Sequence, residues 1–324
     1  MLPFLHVVKT DFEAVNQLIV DELGSDVELI ENIGSYLIDA GGKRLRPIVA
    51  LLGAKACGYR DDKQGNKHLL LAAVVEFIHT ATLLHDDVVD TSELRRGRYT
   101  ANVEFGNAAS VLVGDFLYSR AFQLMVRIGD IEVMKVLANA TNTISEGEVQ
   151  QLINTGNPAI TEQEYQQVIR KKTAELFEAA GRTSALLAGA NSGEVSALQQ
   201  YGHHIGMAFQ LVDDALDYSG DSAQLGKNVG DDLAEGKATL PLIYAMNTAN
   251  IEDAQLIRSA IVSKGSGDLQ KILAVVHDTG ALDYTLACAR QQTDSALAAA
   301  GKLPATPARD ALVTLAEFAV DRDV

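Results

Sequence analysis

The sequence predicts an all-α protein, a single large helical bundle running through residues 1–324 as one domain. Three observations carry this expectation. The six prolines leave two long stretches empty, between Pro47 and Pro158 and between Pro158 and Pro241. Runs of that kind suit helices, because an interior proline removes a backbone hydrogen bond and clashes with the preceding turn. Ala, Leu, Gln and Glu dominate, while period-two alternation of Val, Ile and Thr is scarce. Apolar residues recur instead at helical spacing, as in Phe116, Ala121, Leu124 and Met125, or Val168, Leu176 and Phe177.

The elements follow in order. A helix over 8–23 stops at Gly24, and one over 26–39 runs up to Gly41-Gly42. A glycine-loosened basic turn then enters a helix over 47–57, which stops at Gly58. Beyond a Gly/Asn/Asp-rich loop at 60–66 comes a helix over 66–90, whose segment 69–89 is apolar nearly all round. Such a helix is buried on most faces and belongs at the centre of the bundle, so its few polar members need explaining. Helices over 107–128 and 130–153 come next, then a loop at 154–158 and helices over 161–189 and 194–219. After a loop at 219–232, shorter helices are expected at 238–248, 252–263, 268–279, 281–300 and 307–321. The last opens with Thr306 as N-cap and Pro307 at the first helical position. None of these loops is long or repetitive enough to be a domain linker.

The 324 residues include 43 acidic and 27 basic side chains, a net charge of −16. That balance argues against a nucleic-acid partner and against docking on anionic lipid. Cys57 and Cys288 lie far apart in sequence, which excludes a disulfide framework and suits a reducing compartment. They read as small apolar core residues. With no basic segment leading into an apolar run at the N-terminus, and no uninterrupted apolar stretch of spanning length, the expectation is a cytoplasmic protein without a stable membrane anchor.

The central helix ends in Asp86, Asp87 and Asp90, a DDxxD in which Asp86 and Asp90 share a face. Three carboxylates at a helix C-terminus repel one another and meet the negative end of the helix dipole, so something positive should compensate. The arrangement recurs at Asp213, Asp214 and Asp217, after the apolar FQLV. Two solvated acidic helix ends are the plain alternative; the other is a pair of walls of a divalent-metal site. All-oxygen ligands, with no neighbouring cysteine and no HxxxH, favour Mg²⁺ over zinc. Mg²⁺ usually bridges a few carboxylates to substrate phosphates. Cations suited to phosphate are present at Gly41-Gly42-Lys43-Arg44-Leu45-Arg46-Pro47, Glu93-Leu94-Arg95-Arg96-Gly97, Lys171-Lys172-Thr173 and Gly226-Lys227-Asn228. Each alone reads more readily as a basic surface turn; their company beside acidic helix ends sets them apart. The first lacks Walker A spacing, which disfavours nucleotide hydrolysis.

These motifs, GGKRLRP, LLHDDVVD, RRG, KKTAELF and FQLVDDALDY followed by GKNVGDDLAEGKATLP, resemble the trans-polyprenyl diphosphate synthase family, in family order and over most of the chain. HTATLLHDDVVD and ASVLVGDF are most similar to its bacterial octaprenyl-forming members. The resemblance implies a bundle of the isoprenoid synthase type with a central catalytic cavity, and a homodimer. It implies head-to-tail condensation of isopentenyl diphosphate onto an allylic diphosphate, with farnesyl diphosphate as primer, by ionisation, condensation and elimination. The product would supply a quinone side chain. Asp86, Asp87 and Asp90, with Asp213, Asp214 and Asp217, would hold Mg²⁺ on the allylic diphosphate. Arg95, Lys172 and Lys227 match positions that grip that diphosphate, Lys172 and Lys227 counting among the catalytic set. Thr173 and Gln210 match positions whose oxygens face the allylic carbocation. Lys43, Arg46, His79 and Arg96 match the isopentenyl diphosphate site, whereas Arg44 matches no contact. The last proton would leave to the departing diphosphate, so no protein base is required.

His85 keeps a structural reading, and Asp231, Asp232 and Glu235 either extend the metal site through water or form a solvated loop. Ala81 and Thr82 lie five and four residues before Asp86, one turn below the acidic motif. Short-chain family members often carry an aromatic there. The small residues here imply a tunnel that continues, for which Val75, Ile78, Val113 and Leu117 are candidate lining or simple core. Alternatives are a hexa-, hepta- or nonaprenyl product, or a non-catalytic partner subunit of a heteromeric synthase, in which the acidic motifs would be degraded rather than intact.

Overall fold

Helices form nearly all of the regular structure in the computed structural model, which describes residues 2–39, 41–219, 229–265 and 267–320. The chain divides into two compact units, Met1–Thr141 with Leu176–Gly202 and Leu297–Leu315, and Asn142–Glu175 with His203–Ala296 and Ala316–Val324. After a 3₁₀ turn at Pro3–Val7 come α1 (Lys9–Glu22), α2 (Glu28–Asp39), α3 (Leu45–Ala56), α4 (Asp61–Gln64) and α5 (Lys67–Val89). A two-stranded hairpin, β1 (Leu94–Arg95) and β2 (Arg98–Tyr99), leads to α6 (Ala101–Phe105), α7 (Asn107–Ile128) and α8 (Ile131–Asn154). Then follow α9 (Glu162–Ile169), a π-helical turn at Arg170–Ala174, α10 (Glu175–Ala188) and α11 (Ser192–Leu216). The chain closes with α12 (Asp231–Ala234), α13 (Leu240–Thr248), α14 (Ile251–Val262), α15 (Leu269–Asp278), α16 (Ala281–Ala300) and α17 (Pro307–Val320).

In the first unit α5 is the central helix that its all-round apolar sequence predicts. Leu70, Leu71, Val74, Val75, Phe77, Ile78, Ala81 and Leu84 are all buried, mainly against α7, α3 and α1. Burying each of the larger side chains contributes about 1.5–3 kcal/mol. By length and composition α5 could cross a membrane, yet 61% of its most apolar window is buried within the protein. In the same unit, glycines let backbones touch. A Cβ added at Gly181 would lie 2.2 Å from the Leu198 carbonyl oxygen, and one at Gly202 would lie 2.2 Å from that of Phe177. The second unit has its own core, built on Leu211, Val212, Leu240, Ile243, Ile257, Ile261 and Val276.

Helix ends follow their local chemistry. The Arg309 amide donates to the Thr306 hydroxyl at 3.1 Å, making the expected N-cap ahead of Pro307. Thr161 caps α9 in a reciprocal box with Glu164. One expectation is corrected. The helix expected over 161–189 is interrupted by the π turn at Arg170–Ala174, which packs closely against Gly147 of α8. A Cβ on Gly147 would lie 2.8 Å from Lys171 Cβ and 3.0 Å from the Lys172 nitrogen. The basic turn after the first acidic motif is the turn of a two-stranded hairpin, with Arg96 and Gly97 at φ 55° and 73°. Short α4 falls inside the expected loop at 60–66, and α6 and α12 were not anticipated; helices of four or five residues show no period to read.

Candidate active site

The last turns of α5 place the first acidic motif. Asp86 and Asp90 are partly exposed, Asp90 being the C-cap, while Asp87 is only 4% exposed. The hairpin delivers Arg95 to Asp87, its Nε and Nη2 donating to Oδ1 at 3.0 and 2.6 Å. Burial pushes the Asp87 carboxyl pKa up, and Arg95 pulls it back toward the charged form. The i, i+4 spacing therefore separates two carboxylates that reach solvent from one committed to an arginine.

Beside this motif, in the same unit, the basic turn before α3 and the hairpin converge on a cavity of about 70 Å³. Gly41, Arg44, Glu76, His79, Arg95 and Arg96 form its polar wall, with Phe77, Leu83, Leu84 and Leu117 on its apolar side. Arg44 adopts a left-handed conformation (φ 46°), and its Nη1 lies 3.6 Å from Glu76 Oε1. Arg96 donates to the Gly41 carbonyl. Arg46 stacks over the Phe177 ring, 4.3 Å from its centroid, and donates from Nη1 to His79 Nε2 at 3.2 Å. Burial lowers the Arg46 pKa to about 10, opposed by Glu76. Burial, then Arg46, Arg96 and Arg95, hold the His79 pKa well below its ordinary value, so the ring is neutral. With Nε2 accepting, the ring N–H sits on Nδ1. Burial and the neighbouring Arg95 also depress the Arg96 pKa. Arg46, His79, Arg95 and Arg96 are thus brought together, and Lys43 is exposed on the same turn as Arg46.

The second unit gathers the other residues. Thr173, in the π turn, donates to Gln210 Oε1 at 2.8 Å, and Gln210 Nε2 donates to Asp214 Oδ1 at 2.7 Å. Tyr165 donates to Asp214 Oδ2 at 2.5 Å. Asp214 is 2% exposed; burial and then Asp232 hold its pKa well above the carboxylate range, opposed by the bonds from Tyr165 and Gln210. Asp217 is fully buried and accepts from the Asp232 amide at 3.1 Å, whereas Asp213 is partly exposed. Lys172 pairs with Glu148 at 2.5 Å, as Glu235 does with Lys237. Asp231 and Asp232 are half-buried at the start of α12. Lys227 lies outside the described residues.

The remaining candidates sit in packing roles. Ala81 is fully buried, and Thr82 donates to the His79 carbonyl at 2.8 Å. Leu117 borders the cavity, while Val75, Ile78, Ala81, Thr82 and Val113 do not. His85 Nε2 lies 3.1 Å from the Val111 carbonyl oxygen and 3.4 Å from Asp115 Oδ1, tying α5 to α7. Burial and Glu194 raise the Cys57 thiol to about 12, and burial and Glu162 raise Cys288, so neither is a thiolate at neutral pH. Asp11, Asp61 and His68 also cluster, but Lys55 lies 3.2 and 3.4 Å from the two carboxylates and already places a cation between them. Sequence reasoning missed Glu76 and Tyr165, and left Arg44 without a contact. For Glu76 a signal existed: it is the one charged residue in the apolar run 69–84.

An all-α chain whose central apolar helix ends in DDxxD beside a pocket of arginines, and which carries a second such motif, has the features of a polyprenyl synthase. The chain belongs to the polyprenyl synthetase family, whose sequence model matches residues 27–278. It is 53% identical over 315 residues to the octaprenyl diphosphate synthase of Escherichia coli, covering 97% of this chain and 96% of that one. It is 46% identical, with 97% and 96% covered, to a geranyl-diphosphate-specific all-trans-nonaprenyl-diphosphate synthase of Rhodobacter capsulatus. The crystal structure of a polyprenyl synthase from Caulobacter crescentus, complexed with calcium and isoprenyl diphosphate, matches with a TM-score of 0.94 at 44% identity, covering 99% of this chain and 97% of that one. The protein is a prenyltransferase of this family.

Proposed function

We propose that the protein is an all-trans-octaprenyl diphosphate synthase that adds isopentenyl diphosphate head to tail onto an allylic diphosphate, with farnesyl diphosphate as primer. One observation supports it most: the cavity at the DDxxD end of α5 collects Arg44, Arg95, Arg96 and a neutral His79, a wall suited to a diphosphate. Lys43, Arg46, His79 and Arg96 bind isopentenyl diphosphate, His79 donating through Nδ1 without adding charge. Arg95, Lys172 and Lys227 hold the allylic diphosphate, and Thr173 and Gln210 turn oxygens toward its allylic carbons. The apolar side of the cavity keeps water from the allylic cation.

The donor set fits Mg²⁺. Asp86 and Asp90 reach solvent from one helix face, Asp213 does so in the second motif, and all offer hard oxygen ligands. Asp87, Asp214 and Asp217 support these positions through Arg95, Gln210 and the Asp232 amide. Bound there, Mg²⁺ would neutralise charge that develops on the leaving diphosphate. The family match runs through segments of both units, which supports reading 1–324 as one catalytic domain. Both cysteines are free, which supports a reducing, cytoplasmic setting.

The test is elongation by purified protein with Mg²⁺, farnesyl diphosphate and isopentenyl diphosphate, with product length read by chromatography. An octaprenyl product is expected; a nonaprenyl product would move the assignment to the neighbouring length, and no product would remove it. In the same assay Ala81→Tyr is expected to shift the distribution toward shorter chains. An unchanged distribution would take Ala81 out of the tunnel.

We further propose a homodimer. Val111, Leu112, Phe122 and Val126 form an apolar stripe on α7, exposed by 36%, 66%, 42% and 66%. A Leu112→Asp/Val126→Asp variant is expected to elute as a monomer by light scattering. A dimer of unchanged stability would place the interface elsewhere.

A further inference from the structure

Glu76 lies on the cationic wall of the cavity with Arg44, His79, Arg95 and Arg96, and the other carboxylate there, Asp87, is already held by Arg95. Its Oε1 lies 3.6 Å from Arg44, each side chain being 14% exposed. Its Oε2 is buried and finds no hydrogen-bond partner among the described residues, and the same holds for Arg46 Nε. Burial raises the Glu76 pKa, while Arg44, Arg46 and Arg96 pull it down. A buried polar atom left unmatched is costly, so the cluster is incomplete as it stands.

Guanidinium groups crowded in a poorly hydrated pocket repel one another, and a single carboxylate among them offsets that repulsion. We infer that Glu76 is a positioning residue of the isopentenyl diphosphate pocket, the resident counter-charge that keeps Arg44 and Arg96 on the cavity wall and Arg46 behind it against His79 before the substrate arrives. This inference rests on the proposed assignment of that pocket. Arg44 stays with Glu76 and offsets its repulsion toward the incoming anion. Arg46 and Arg96 then meet the diphosphate already gathered, so binding does not have to collect them from dispersed conformations. Arg44 thereby gains a role although it matches no substrate contact.

The test compares wild type, Glu76→Gln and Glu76→Asp in steady-state kinetics with both substrates varied, alongside calorimetric titration of isopentenyl diphosphate alone. In Glu76→Gln the KM and Kd for isopentenyl diphosphate are expected to rise about tenfold, with kcat and the KM for the allylic diphosphate within about twofold of wild type. Glu76→Asp, which keeps the charge, is expected to stay within about threefold on every parameter. An unchanged or lowered KM in Glu76→Gln overturns the inference, the second result marking Glu76 as a mere competitor of the substrate. A matching loss in both substrates and kcat also overturns it. Should Glu76→Gln fail to fold, Glu76→Asp decides by titration, because a tenfold weaker Kd there shows that charge alone does not hold the cluster. A wild type that binds no isopentenyl diphosphate refutes the pocket assignment instead.

Discussion

Exchanging Asp86 and Asp90 together for asparagine lowers kcat by about a thousandfold while thermal stability holds or rises slightly. The rate loss follows from their position: these are the two carboxylates of the first motif that reach solvent on one face of α5. Removing a single preorganised electrostatic group typically costs about 10²–10³ in rate. The stability change has the opposite sign because both groups sit at a helix C-terminus, where each carboxylate opposes the dipole by about 0.3–1 kcal/mol. Asp87→Asn behaves differently. It removes the partner of Arg95 from a nearly buried position, so it lowers the melting temperature and weakens allylic substrate binding through Arg95. Kinetics and thermal unfolding of both variants separate these outcomes. A double variant that keeps its rate within tenfold would show that the acidic motif is a solvated helix end.

Gly202→Ala destabilises the protein by about 3 kcal/mol or more, the upper part of the range for overpacked cores. The added methyl would lie 2.2 Å from the Phe177 carbonyl oxygen and 2.7 Å from its carbonyl carbon. These are backbone atoms, so no rotamer change relieves the clash and the two helices must separate. Folded domains hold only about 5–15 kcal/mol in reserve. The damage also reaches the site, because the Phe177 ring carries the Arg46 guanidinium. Urea unfolding measures the first effect, and the KM for isopentenyl diphosphate in the folded fraction measures the second. A change below about 0.5 kcal/mol would show that the contact yields freely.

Much of the fold was legible because the deciding residues act locally. The apolar run of α5, the proline-free stretches and the Thr306-Pro307 cap each express a short-range preference, and the structure follows them. The split within the first DDxxD was legible too, since i, i+4 spacing alone pairs Asp86 with Asp90 and turns Asp87 elsewhere. The π turn was hidden, for the glycine on α8 that packs against it lies some two dozen residues upstream of Lys171 and Lys172. Glu76 stood out in the sequence as a lone charge, but its arginine neighbours come from a turn and a hairpin distant along the chain. For Ala81 size and depth were readable from its place before Asp86, and only the packing showed that it does not border the cavity.

The hairpin after α5 carries a further consequence. Arg95 lies in a strand and reaches back to Asp87, while Arg96 occupies the turn at positive φ and reaches the Gly41 carbonyl. Under the proposed assignment consecutive residues serve the two substrates, and their Cα atoms stand one peptide link apart, about 3.8 Å. Covalent geometry therefore fixes where the two side chains leave the backbone, and one residue inserted at the turn would put both arginines out of register at once.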